Sequence, residues 1–181
     1  PAWVTELHGF RELAPEDCHG HAEGWEARVP VIETPLYLPW LAGRVRAHGV
    51  QLETREVHDL DETRAFDAVV NCTGLGAREL VGDARCFAIR GQIVRVPRGA
   101  VTRALYFQQE GGAFGYIVPR SADCVLGGTA ERGVETLTSD ERTTRAILAR
   151  CRAFEPRLGE PLSVGVGLRP GRDEIRVERE R

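Results

Sequence analysis

Four short runs after Asp83 constrain the fold most: RGQIVRV (90–96), RALYFQQ (103–109), GYIVPR (115–120) and CVLGGT (124–129), parted by Gly, Pro and polar turns. Runs of this length at this spacing are strand candidates, and together they predict an antiparallel sheet. A helix is expected next over 139–155, SDERTTRAILARCRAFE, with Ser139 at its start and acidic residues in its first turn. Ile147, Leu148, Cys151 and Phe154 fall on one face of it, and Pro156 stops it.

Upstream the pattern is different. Leu36, Leu38, Leu41, Val45 and Ala47 recur at roughly helical spacing between Thr34-Pro35 and Gly49, which predicts an amphipathic helix over 33–48. VQLETREV (50–57) alternates as a strand, and FDAVVNCTG (66–74) is a short apolar run ending in small residues. Helix, strand and buried strand make part of an α/β layer. VTELHGFREL (4–13) also alternates as a strand, ended by Ala14-Pro15-Glu16-Asp17. Two kinds of region therefore interleave, and the fold class expected is α/β (α+β).

Composition bounds the function. The net charge of −3 and the mixed signs of Arg, Asp and Glu provide no basic field for nucleic acid or a membrane surface. Small-molecule chemistry is the default. The five cysteines are odd in number and lack a C-x-x-C pair, so buried thiols are expected rather than a disulfide framework or zinc ribbon. CHGH (18–21) lacks the second ligand pair of a zinc site and reads as a polar loop, so no metal is assigned. No apolar run approaches the ~20 residues of a membrane span and no signal pattern opens the chain, which makes a cytoplasmic location the default expectation. All 24 basic residues are Arg, and Asn occurs once, a bias suggesting a GC-rich bacterial genome. Met is absent and the chain opens Pro1-Ala2-Trp3, so an internal piece of a longer protein is expected.

The candidate chemistry is sparse. VVNCTGLGARE (69–79) ends an expected buried strand in Cys72, Thr73 and Gly74, where small side chains let a nucleotide-type ligand approach the backbone. On these residues alone, a strand leaving a sheet by a glycine turn is the favoured reading, and no GxGxxG or GxxxxGK[ST] supplies a phosphate cradle. Tyr116 lies in one strand candidate, and Arg169 in VGLRPGR is held extended by the proline after it. A fixed guanidinium suits a carboxylate, although in isolation a half-buried core Tyr and a surface Arg are by far the favoured readings of the two residues. No hydrolase signature is present. The stretch 166–181 opens on a Gly-Leu-Arg-Pro turn that leads into a strand alternating apolar and charged residues, and it ends at Arg181 with nothing to pair against.

Taken together, GFREL (9–13), Gly24-Trp25, VVNCTGLGARELVGD (69–83), RGQIVRV, GYIVPR, LGGT (126–129), EPRL (155–158) and GLRPGRDEIRVERE (167–180) resemble the D-amino-acid oxidase family, FAD flavoproteins that include D-aspartate oxidase. The resemblance implies an FAD-binding α/β layer interleaved with a substrate domain built on an antiparallel sheet. The substrate domain would take residues 1–30 and 85–165, and the FAD-binding domain 31–84 and 166–181. A glycine-rich phosphate loop would precede Pro1, and a flavin-closing segment would follow Arg181. Arg169 resembles the arginine that grips the substrate α-carboxylate, and Tyr116 the tyrosine that bonds the same group. Cys72, Thr73 and Gly74 resemble residues packed on FAD, and Val57 one whose backbone meets the adenine.

The implied reaction is oxidative deamination of a D-amino acid by dioxygen, giving a 2-oxo acid, ammonia and peroxide. The expected partners are the amino acid and dioxygen, with neither nucleic acid nor membrane, and a homodimer is allowed. Two departures bear on substrate. Only six residues, Glu110 to Gly115, separate YFQQ from YIVP, so the lid is short and holds no Tyr. Where D-aspartate oxidases place an arginine just after LGGT, this chain has Ala130, with Arg132 two residues on. A neutral or basic substrate is therefore expected over an acidic one. The alternatives are a D-aspartate oxidase or glycine-oxidase-like enzyme and, from another class, a non-catalytic ligand- or partner-binding module.

Overall fold

Strict alternation of buried and half-exposed residues along 87–96 makes this stretch the central strand of the molecule. The computed structural model describes residues 2–108 and 112–179. Gln109, the Glu110–Gly111 part of the short lid, and the ends at Pro1, Glu180 and Arg181 lie outside the described residues. In chain order the elements are β1 (Arg11–Glu12), β2 (Trp25–Glu26), α1 (Thr34–Ala47), α2 (Ala77–Leu80), β3 (Phe87–Pro97) and β4 (Leu105–Gln108). There follow β5 (Phe114–Pro119), β6 (Asp123–Gly127), β7 (Glu131–Arg132), α3 (Glu141–Phe154) and β8 (Ser163–Gly171).

The expected antiparallel sheet is present, with six strands, in a mixed helix and sheet fold. β6 and β7 pair along one edge of β3, where Ile93 faces Gly127 and Ile89 faces Arg132. The other edge of β3 takes β8 along its whole length, from Phe87 opposite Gly171 to Arg95 opposite Ser163. β5 pairs β6, and β4 closes the far edge against β5. The domain boundary expected after residue 165 and the turn expected at 167–170 both fall inside β8, which the backbone of β3 holds extended.

α3 covers one face of this sheet. Ile147 and Cys151 are fully buried against Val94, Val96, Ile117, Cys124 and Leu126. Each such aliphatic side chain contributes roughly 1.5–3 kcal/mol on leaving water. Beneath the N-terminus of α3 two polar residues of β3 are buried as well. Gln92 Nε2 donates to Asp140 O and to Thr144 Oγ1, both at 2.8 Å, and Gln92 Oε1 accepts from Asp140 N at 2.9 Å. Arg90 donates to Gln92 Oε1, to Thr136 O at 3.0 Å and to Thr138 O at 2.6 Å, and pairs with Glu131. A buried polar group is tolerable when its bonds are made, and these bonds fasten 131–140 and the start of α3 to the sheet. The cap of α3 is Asp140 rather than Ser139, since Asp140 Oδ2 accepts from Thr143 N at 2.6 Å.

Several expectations upstream are corrected. Residues 4–13 do not form a strand: Ala2–Glu6 is a 3-10 turn, Gly9 adopts φ +67°, and only Arg11–Glu12 pairs, with β2. The CHGH loop packs on the end of α3, where His21 stacks on Phe154 at 5.6 Å and buried Cys18 donates to Ala14 O at 3.4 Å. Helix α1 forms where expected, but Leu36, Leu38 and Trp40 are exposed and none of its residues is buried, so it presents no single buried face. Segments 50–57 and 66–74 are irregular. A strand is held by a neighbour's backbone, and among the described residues neither segment has one. Residues past Gly171 likewise form no strand, with Ile175 and Val177 exposed.

Candidate functional site

The face of the sheet away from α3 is paved with glycine. On β8, Gly165, Gly167 and Gly171 alternate with the other face, so among them only Arg169 projects a long side chain. On β3, Gly91 lies opposite Gly167, and on β6, Gly127 lies beside Tyr116 and opposite Ile93. Backbone without side chains leaves a cleft of ≈ 320 Å³ whose walls include Tyr116, Ile93, Thr129 and Arg169.

At two of these glycines a Cβ would displace Tyr116 or Arg169. A Cβ on Gly127 would stand 1.9 Å from Tyr116 Cζ, because the phenol ring lies flat across β6. A Cβ on Gly91 would stand 2.8 Å from Arg169 Nη2, because the guanidinium lies across β3. The absent side chains let Tyr116 and Arg169 lie toward one another on one surface. Arg169 Nη2 donates to Thr129 O at 2.8 Å, and among the described residues no carboxylate pairs with it. Burial pushes the Tyr116 phenol above its usual value, partly offset by the charge of Arg169. Tyr116 therefore stays protonated near neutral pH and can donate. A cation and a phenolic donor on one open, glycine-floored face are suited to a carboxylate.

None of the expected cofactor residues lines the cleft. Cys72, Thr73 and Gly74 form a turn in which Asn71 Oδ1 accepts from Thr73 N at 3.1 Å and from Thr73 Oγ1 at 2.8 Å. Gly74 has φ +62°, and a Cβ there would meet Pro170 Cγ at 3.7 Å, so this turn lies against the residue that follows Arg169. Cys72 and Thr73 are exposed at that junction. Small side chains and an open backbone fit a flat cofactor ring, but Pro170 projects to the sheet face opposite Arg169, so the turn does not form part of the Tyr116–Arg169 cleft. Val57 is half-buried in irregular chain and does not line the cleft.

Sequence reasoning missed Gly91, Gly127 and Thr129 as parts of the site. The alternating Gly165, Gly167 and Gly171 around Arg169 were the available signal, since they imply a bare strand face bearing one cation. Arg132, weighed above as a second carboxylate ligand, is engaged elsewhere: it pairs with Asp173 at 2.8 Å and lies 3.7 Å over the Phe87 ring.

The family model described as FAD dependent oxidoreductase matches residues 1–181. A D-amino-acid oxidase from Rubrobacter xylanophilus is 46% identical over 187 residues, covering 99% of this chain and 56% of that protein. A Homo sapiens D-aspartate oxidase is 37% identical over 186 residues, covering 99% and 54%. A Streptomyces coelicolor D-amino-acid oxidase is 42% identical over 179 residues, covering 97% and 55%. The chain spans about half the length of the curated relatives it matches. It belongs to the FAD-dependent oxidoreductase family that includes the D-amino-acid and D-aspartate oxidases.

Proposed function

We propose that this chain supplies the substrate-binding sheet of an FAD-dependent oxidase that deaminates a neutral or basic D-amino acid. The observation that supports this most is the convergence of Tyr116 and Arg169 across Gly127 and Gly91 on one open sheet face. Arg169 would take the α-carboxylate through charge-assisted hydrogen bonds, and Tyr116 would donate its phenolic hydrogen to the same group. Cys72, Thr73 and Gly74 would pack on the FAD, and the Val57 backbone would meet its adenine end. When bound, FAD takes the two electrons removed from the amino acid and passes them to dioxygen, which becomes hydrogen peroxide. The imino acid left behind is hydrolysed by water to a 2-oxo acid and ammonia.

Among the described residues, none that lines the cleft is a carboxylate or an imidazole. Positioning of the substrate by its carboxylate, rather than a protein base, therefore carries the contribution of these residues. Ala130 stands just after LGGT in place of an arginine, so a second carboxylate on the substrate lacks a cation there, and Ile93 is an apolar wall. A neutral or basic side chain fits better than an acidic one. Homodimer formation and a cytoplasmic location complete the proposal.

The test is Arg169→Ala in the FAD-loaded enzyme made from its full reading frame. Leaving a bound carboxylate without its cation costs on the order of 2–5 kcal/mol, so KM for D-alanine should rise about 30-fold or more. A change below twofold removes Arg169 from the site. Anaerobic flavin bleaching by D-alanine and not by L-alanine is expected, and equal bleaching by both would sink the reading.

A further inference from the structure

Resting on this reading of the site, we infer that Thr129 is a positioning residue that aims Arg169 at the substrate carboxylate. Between β6 and β7 the chain leaves the ladder of β3, and Gln92 N would lose a strand partner there. Thr129 Oγ1 takes that place, accepting from Gln92 N at 2.9 Å. The hydroxyl thus pins Thr129 to β3, and the carbonyl of the same residue accepts from Arg169 Nη2 at 2.8 Å. A Cβ built on Gly91 would also lie 3.3 Å from Thr129 O, so guanidinium, carbonyl and bare strand meet at one point.

This arrangement engages Nη2 of a cleft-lining arginine, and among the described residues no carboxylate takes its other donors. An arginine on an open face has several rotatable bonds and would otherwise sample many directions. The carbonyl fixes one of them only if it is itself fixed, and the hydroxyl is what fixes it. Gln92 adds rigidity from below, since its side chain is bonded to Asp140 and Thr144 of α3 on the opposite face. The side chain of Thr129 does not need to touch the ligand for its loss to be felt.

The experiment measures benzoate binding, a carboxylate with no oxidisable α-hydrogen, to the FAD-loaded enzyme from its full reading frame, with flavin absorbance as the signal. Thr129→Val keeps the shape and removes the hydroxyl; it should weaken benzoate binding and raise KM for D-alanine on the order of tenfold, with kcat and the ligand-free flavin spectrum changed little. Thr129→Ser should restore binding to within about twofold. In an Arg169→Ala background, Thr129→Val should add less than about twofold, because its effect passes through the arginine.

Three outcomes would overturn the inference: unchanged benzoate affinity in Thr129→Val, failure of Thr129→Ser to restore it, or an undiminished tenfold loss in the Arg169→Ala background. If Thr129→Val does not fold, weakened binding in a folded Thr129→Ser enzyme also counts against it. If Arg169→Ala alone leaves benzoate affinity intact, the reading of the site itself fails, separately from the role of Thr129.

Discussion

At the scale of single residues, the site depends as much on what is missing as on what is present. The Tyr116 ring lies where a Cβ on Gly127 would stand, and a Cβ on Gly91 would displace the Arg169 guanidinium. In the flavoenzyme, Gly127→Ala should lift the Tyr116 ring off β6 and raise KM for D-alanine about tenfold, measured by steady-state kinetics with flavin content as the control. An unchanged KM would show that the ring position is unimportant. Chemistry and inertness are also separated at this scale. Buried Cys151, whose thiol donates to Tyr116 O at 3.6 Å, is pushed up to about 11 by burial and stays a thiol at neutral pH. Tyr116 and Arg169 were legible from their sequence motifs. Gly91, Gly127 and Thr129 were not, because their roles arise from cross-strand register, which no local pattern encodes.

At the scale of elements, β3 serves two faces at once. Its odd positions floor the cleft, and its even positions hold α3 through apolar packing and the Arg90–Gln92 network. Gln92→Leu should cost about 2–3 kcal/mol of stability in urea unfolding, since it strands the Asp140 N–H and one donor of buried Arg90. A loss below about 0.5 kcal/mol would mean that the network does not hold the helix.

The β5–β6 turn gives a pH dependence. Arg120 donates through Nε and Nη2 to both oxygens of Asp123, each at 2.6 Å, and this bonding holds the Asp123 carboxyl below its ordinary value. A depressed folded-state value stabilises the protein above roughly pH 4 and loses that contribution as pH falls through it. Asp123→Asn should therefore lower the urea midpoint at pH 7 and flatten its decline toward pH 3. Parallel acid limbs for both proteins would refute this. The helix α3 and the strand candidates from 90 to 129 were readable because their periodicities are local. The cap at Asp140 rather than Ser139 was not, since that choice is set by Gln92, far away in sequence.

At the scale of the whole molecule, the 181 residues are unevenly consolidated. Four strands of the central sheet, β3 to β6, and α3 share one core, whereas α1 buries nothing and 50–74 pairs with no strand among the described residues. Hydrogen exchange on the polypeptide 1–181 should protect β3, β5 and β6 by orders of magnitude more than α1 and 50–74. Equal protection would show that α1 is buried in solution. Local sequence was sufficient to determine the antiparallel sheet, the two long helices and the placing of Tyr116 on a strand, because alternation, helical spacing and turn residues act over a few neighbours. Arg169, expected in a turn, lies instead within β8 because β3 pairs with it there. Only the tertiary structure decided that these two residues share one glycine-floored face, that Thr129 holds Arg169, and that 50–57 and 66–74 are not strands. Those outcomes turn on register and on partners distant in the chain, where the energy of a residue depends on what lies across from it.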